Sequence, residues 1–348
     1  MTAPTQPTKI ILDCDPGHDD AVAMLLAWGH PAIDLLAVTT VAGNQTLEKV
    51  TANARAVAKV GGITGIPFAA GASRPLVGAQ IIPEEIHGDS GLDGPELPSA
   101  GVPLQEAHAI DLIAEIIERE PEGTVEIVPT GALTNIALFA RRYPHLVKRV
   151  RGITLMGGTH HGGNMTPAAE FNILADPEAA QVVFNTPWEV TMVGLDVTHK
   201  VLAVPSRMEQ LAATGTDVAE FIVELVEFFG AAYKQERRYP GPPMHDPLAV
   251  ASVADPGLLT TVRAPIDVET KGELTRGMTV VDLRRTWWTP EAGEHGDPTA
   301  LATADDYAGT EENGAAIHHR VGVDVDADRF WELLVEALER IGSTNFRG

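Results

Sequence analysis

Residues 10–21, Ile10-Ile11-Leu12-Asp13-Cys14-Asp15-Pro16-Gly17-His18-Asp19-Asp20-Ala21, place four carboxylates within eight positions of a segment that otherwise reads as a buried strand entering a helix. Isolated carboxylates are costly to bury without partners, so something must hold this set. Alternation at period two puts Ile11, Asp13 and Asp15 on one strand face. Pro16-Gly17 then ends the strand, and Ala21, Met24, Leu25 and Trp28 recur at helical spacing. The acids therefore gather at the carboxyl end of a strand, which is where open α/β sheets bind ligands. Hard oxygen donors at such a point suit Ca²⁺ or Mg²⁺ better than a softer metal. A plainer reading has Asp19 and Asp20 favouring the positive end of the following helix while Asp13 caps a loop. Asp13 and Asp15, inside the strand itself, speak against it as the whole explanation.

Working outward, the rest of the 348 residues repeats the same alternation. Strands are expected at Ile33–Val41, near Pro67–Ala70, and at Thr124–Val128, Gly152–Met156 and Val190–Leu195, with helical periodicity between them. Beyond Pro205 the pattern turns more helical. Thr216 reads as the cap of a long helix bearing Val218, Phe221, Ile222, Leu225 and Phe229, and His245-Asp246-Pro247 opens another. Strands near Ile266–Glu269, Met278–Leu283 and His318–Val325 and an amphipathic helix through Phe330, Leu334, Ala337 and Ile341 complete the pattern. The expected fold is α/β: a single open, mainly parallel sheet with helices on both faces, a Rossmann-like core with additional helices. One domain is expected over 1–348, with residues 1–8 a flexible leader and 285–315 a mobile loop. The Gly- and Pro-rich stretch Gly71–Pro103 is too long for a simple connector, and long loops of that kind often carry function.

Composition narrows the partners. The 25 Lys and Arg against 48 Asp and Glu give a formal net charge of −23, a field that repels polyanions and disfavours nucleic acid and anionic membranes. With 44% hydrophobic residues the chain has ample material for a core. No run of about 18 apolar residues reads as a membrane span, and Met1–Lys9 lacks the apolar stretch of a signal peptide. A cytoplasmic protein is expected. The single cysteine, Cys14, cannot form an internal disulfide or a multi-cysteine zinc site, and its place on a buried strand suggests an inert thiol.

Asn44, Thr130, the Asn164–Asn172 loop and His245-Asp246 share one feature with the opening cluster: each falls where a strand or long loop gives way to a helix. In a doubly wound sheet such points converge over one edge, so these residues can meet Asp15 and Asp20. Taken singly, Asn44 reads as a helix cap, Thr130 as a turn residue and Asp246 as an acid in the first turn of a helix.

The ordered set Asp13–Ala21, Val38-Thr39-Thr40-Val41-Ala42-Gly43-Asn44, Val128-Pro129-Thr130-Gly131, Leu155-Met156-Gly157-Gly158, Ala169-Glu170-Phe171-Asn172-Ile173 and Met244-His245-Asp246-Pro247 resembles the nucleoside hydrolases, the inosine-uridine-preferring type above all, over nearly the whole chain. The resemblance implies hydrolysis of the N-glycosidic bond of ribonucleosides to ribose and free base. It implies a Ca²⁺ held by Asp15, Asp20, the main-chain carbonyl of Thr130 and Asp246, within the six to eight oxygen ligands that calcium accepts. By the same likeness Asp19, Asn44, Asn164, Glu170 and Asn172 bind ribose hydroxyls, Met156 and Phe171 belong to the substrate site, and Asp13 supports the ligands from behind. Asp15 would activate a calcium-bound water, His245 would assist the leaving base, and His87 would line the base pocket. The assembly implied is a homodimer or homotetramer.

Two features depart from that pattern. His18 stands where many members carry an apolar residue, which bears on packing beside the ribose pocket, and Arg285–Ala315 is longer than its counterpart. The competing readings are a noncatalytic calcium-dependent ribose- or nucleoside-binding protein, and a phosphotransferase of the haloacid dehalogenase type. The first needs neither Asp15 nor His245. The second usually has Thr or Val where Gly17 stands.

Overall fold

The computed structural model describes residues 6–83, 88–98, 101–237, 239–284 and 318–346. Strand β1 (Thr8–Cys14) lies inside the sheet, paired in parallel with β2 (Ile33–Thr40) on one side and β4 (Val125–Pro129) on the other. Two parallel neighbours explain the continuous apolar run, since side chains on both faces are covered. Ile10, Leu12 and Cys14 enter one hydrophobic cluster and Ile11 the cluster on the opposite face, as period-two alternation requires. Burying a Leu or Ile side chain contributes about 1.5–3 kcal/mol, the same order as an unpaired buried polar group costs. Asp13 therefore needs partners of its own, described below.

Among the described residues nine strands lie in the order β3-β2-β1-β4-β5-β6-β9-β7-β8, with β3 at Phe68–Ala70, β5 at Gly152–Met156, β6 at Val190–Val193, β7 at Leu259–Val268, β8 at Thr279–Val281 and β9 at His318–Val325. The sheet is parallel from β3 to β9; β7 then pairs antiparallel with both β9 and β8. Sequence periodicity located these strands without revealing that β9 enters between β6 and β7. Residues 1–5 and the expected mobile loop 285–315 lie outside the described residues. Thr8 is tied into the sheet, its N–H donating to Ala32 O at 2.8 Å.

Helices cover both faces. Helix α1 (His18–Gly29) is buried along almost its whole length, packed against α10 (His245–Ala254) and α11 (Ala327–Ile341). The other face carries α3 (Ala109–Arg119), α4 (Thr134–Arg142) and α6 (Pro177–Phe184). The long helix α9 (Asp217–Arg237) begins after Thr216, whose hydroxyl accepts the N–H of Ala219. No described helix is long and apolar enough to cross a membrane. The parallel strands β1, β2, β4 and β5 all end on the same edge, bringing the loops after them over one point.

Candidate active site

Just beyond β1 the chain turns at Pro16-Gly17 and α1 begins, so Asp15 and the first turn of α1 share the sheet edge. Asp20 is fixed from four sides. Its Oδ1 accepts from the Thr130 hydroxyl at 2.8 Å and the Asp15 N–H at 3.4 Å, and its Oδ2 from the Gly17 N–H at 3.1 Å and Asn44 Nδ2 at 3.2 Å. Asp15 Oδ2 accepts the Asn44 N–H at 2.7 Å, whereas Asp15 Oδ1 is buried with no hydrogen-bond partner. Oxygen ligand atoms of Asp19, Asp20 and Asp246 lie within 4.8 Å of one another, all buried.

Electrostatics makes this grouping unstable by itself. Burial, and then the neighbouring carboxylates, pushes Asp19 up to about 7 and raises Asp15 and Asp246 well above the ordinary carboxylate range. Burial also raises Asp20. None of the four makes a described ion pair with Lys or Arg. A buried, all-oxygen, multiply anionic donor set with an orphaned Asp15 oxygen fits a hard divalent cation. Asp13 stands behind it: its Oδ1 accepts from the Thr39 hydroxyl at 2.6 Å and Asn135 Nδ2 at 2.8 Å, and burial raises its carboxyl to about 7.

Above the acids opens a cleft at the carboxyl edge of the sheet. Of the residues singled out from sequence, Asp19, Asn44, Thr130, Met156, Asn164, Glu170, Phe171, Asn172, His245 and Asp246 line it. Asn172 Nδ2 donates to Thr130 O at 2.7 Å and to Met156 O at 3.2 Å, which fixes the Thr130 carbonyl. Glu170 caps the short helix α5 (Phe171–Ala175), accepting from the N–H groups of Asn172, Ile173 and Gly158. Burial lifts its carboxyl to about 7. Asn164 Oδ1 accepts the Phe171 N–H at 2.9 Å, closing the loop on itself. His87 lies outside the described residues. The adjoining turn is anchored by Gln45 and Asn53, which donate to the carbonyls of Gly88, Asp89 and Ser90.

Several contributing residues carried no sequence signal of their own. The Thr198 hydroxyl, on the short helix α7 (Leu195–Thr198), meets His245 Nδ1 at 2.8 Å in a fully buried contact. Phe229 also lines the cleft, and His18 explains its setting: the His18 ring lies nearly parallel to Phe228 and Phe229, with centroids 5.4 and 5.2 Å away. His18 Nε2 bonds Asp93 O at 2.8 Å, and burial lowers the imidazole to about 4. His18 thus joins the cleft wall to the loop after β3 as a neutral ring. Asn135 was findable, being an amide beside the apolar Ile136, Ala137, Phe139 and Ala140 that α4 buries.

Two glycines set the room around Asp15. A Cβ at Gly43 would stand 1.9 Å from Asp15 Oδ2, and one at Gly131 would stand 2.5 Å from Asp15 Oδ1. Gly43→Ala is expected to displace the carboxylate and lower kcat/KM by about 10²-fold, the scale of an ångström misplacement at a reacting centre. Steady-state kinetics on a variant with an unchanged circular dichroism spectrum checks it. Wild-type turnover would show that Asp15 has room to move.

The model of the family described as inosine-uridine preferring nucleoside hydrolase matches residues 10–332. The chain is 46% identical over 337 residues to the inosine-uridine preferring nucleoside hydrolase of Crithidia fasciculata, and 47% identical over 337 residues to that of Leishmania major. Each match covers 97% of this chain and 99% of the relative. A solved plant nucleoside hydrolase, the PpNRh1 enzyme, superposes with a TM-score of 0.82 at 29% identity, covering 95% of this chain and 98% of its own.

Proposed function

Because the chain belongs to the inosine-uridine preferring nucleoside hydrolase family and hydrolyses the N-glycosidic bond of ribonucleosides, we propose that Asp15 is its general base and His245 assists the departing base. The reading rests on Asp15 Oδ1, a buried carboxylate oxygen with no hydrogen bond that feels the charges of Asp20, Asp19 and Asp13. Asp15, Asp20, Asp246 and the Thr130 carbonyl hold a calcium ion in this proposal. Calcium, when bound, supplies the positive charge that makes the four acids compatible, and it orients and acidifies a water ligand.

The remaining steps belong to the protein. Asp15 Oδ1 takes a proton from the attacking water as its oxygen bonds to the ribose anomeric carbon. The electron pair of the breaking C–N bond leaves with the base, which receives a proton at its ring from His245. Positive charge growing on the ribose is stabilised by the surrounding carboxylates, as in other glycosidic hydrolyses. Asn44, Asn164, Glu170 and Asn172, with Asp19, form the donor and acceptor set for the ribose hydroxyls, and such a set rejects sugars that lack them. Met156 and Phe171 supply apolar wall, and Asp13 steadies the ligands through Thr39 and Asn135. His87 is assigned to the base pocket by the same reading. Thr198 engages His245 Nδ1, which gives Nε2 the substrate-side role.

The leaving-group assignment is tested by two substrates. Hypoxanthine is a poor leaving group that needs protonation, whereas 4-nitrophenolate departs unaided. His245→Ala should slow inosine hydrolysis by about 10²-fold or more, the usual scale of general acid catalysis, and spare 4-nitrophenyl riboside. Equal losses on both would mean that His245 positions the sugar. A single-domain homodimer or homotetramer in the cytoplasm belongs to the same proposal. Sedimentation as a monomer would remove the assembly from it.

A further inference from the structure

In the loop after β5 and at the start of α7, outside the carboxylate cluster, His160, His161 and Asp196 converge. We propose that they form a second metal site, for a borderline divalent cation such as Zn²⁺. The three donor atoms lie within 4.8 Å of one another. Asp196 Oδ2 stands 2.9 Å from His160 Nδ1, and Asp196 Oδ1 stands 2.7 Å from His161 Nδ1. The His160 side chain is only 9% exposed, so one of the two imidazoles is held in the interior against the carboxylate. Two imidazole nitrogens that meet one carboxylate, each at its own oxygen, bring together three metal-ligating groups of the kind that zinc takes.

The turn that carries the pair is built. Thr279 on β8 holds both the N–H and the carbonyl of Thr159, at 2.9 and 2.6 Å. The Thr159 hydroxyl in turn accepts the N–H groups of His161 and Gly162. The His160 N–H donates to Asp196 Oδ2 at 2.8 Å, so backbone as well as side chain is directed at the carboxylate. Among the described residues Asp196 has no Lys or Arg partner, its ion pairs being with these two imidazoles. Burial acts to raise its carboxyl, yet the hydrogen bonds from His160 and His161 hold it below the ordinary range.

The donor set decides the cation. Two imidazole nitrogens and one carboxylate match zinc, which takes His and Asp ligands at about 2.0–2.2 Å, whereas calcium prefers oxygen throughout. His161 is 78% exposed, so one side is open for entry and for a water as fourth ligand. Binding requires each Nδ1 to present a lone pair, so protons held there are released to solvent.

Calorimetric titration of the calcium-loaded enzyme with Zn²⁺ tests this, with Co²⁺ as a visible-absorption probe. About one equivalent should bind without calcium release. His161→Ala alters an exposed side chain and should keep the fold. It should weaken zinc by at least the roughly 10 to 100-fold that loss of even an outer partner costs, and it should abolish the tetrahedral cobalt band. His160→Ala, checked for an unchanged thermal midpoint, should do the same. Equal zinc affinity in wild type and His161→Ala, or zinc uptake matched by calcium release, would overturn the proposal.

Discussion

Asparagine in place of Asp15 is expected to lower kcat on inosine by about 10² to 10⁴-fold, the contribution of a positioned general base, with KM little changed. The amide keeps an oxygen where Asp15 Oδ2 accepts the Asn44 N–H, so local geometry survives while proton acceptance is lost. A fall in kcat and kcat/KM together marks an interaction made in the transition state rather than in ground-state binding. The variant should retain metal, measured by calcium content after gel filtration. A calcium-loaded Asp15→Asn enzyme with normal turnover would show that another group takes the proton.

Stripping the metal with a strong chelator is expected to abolish turnover, and added calcium to restore it. Full activity in protein verified as metal-free would contradict the calcium assignment. The same manipulation has a stability signature whose sign follows from burial. In the metal-free protein Asp13 and Asp19 have folded values near 7, above the ordinary carboxylate value of 3.8. The folded state therefore binds more protons than the unfolded one between those limits, and stability falls as pH rises from about 4 towards 7. Bound calcium opposes the charge that accumulates, so the calcium-induced rise in thermal midpoint should grow over the same interval. A rise that shrinks from pH 4 to 7 would mean that the acids are neutralised by something other than the ion.

The opening stretch was informative because its two demands conflict. A buried apolar strand and four carboxylates cannot coexist without a sheet edge and a compensating partner, and that conflict puts the acids at the end of β1, where the structure has them. Strand-helix alternation likewise made the mainly parallel sheet legible. The entry of β9 between β6 and β7 was not, because periodicity reports which face a residue takes and says nothing of which strand lies beside it. Thr198 was invisible for a related reason: a single hydroxyl in a short helical turn carries no pattern, and its role exists only through a partner 47 residues away. Asp19 was read as a sugar contact; its carboxylate lies within 4.8 Å of those of Asp20 and Asp246, and the approach of Asp246 from another helix is something that spacing along α1 does not encode.

The position of β9 also governs the order in which the molecule can be completed during synthesis. The strands from β3 to β6 can pair as soon as the first two hundred or so residues have left the ribosome, roughly ten to forty seconds at ordinary elongation rates. The β7–β8 pair, though translated earlier than β9, joins the main sheet through β9. Until that last strand arrives, β7 and β8 are tied to the earlier part of the chain by side-chain contacts such as Arg276 with Glu178 and Thr279 with Thr159, without a strand to pair with in the main sheet. A nascent chain therefore holds the sheet from β3 to β6 before β7 and β8 have joined it. Loss of β9 would leave β6 and β7 without the neighbour that joins them, although every proposed catalytic residue would still be present.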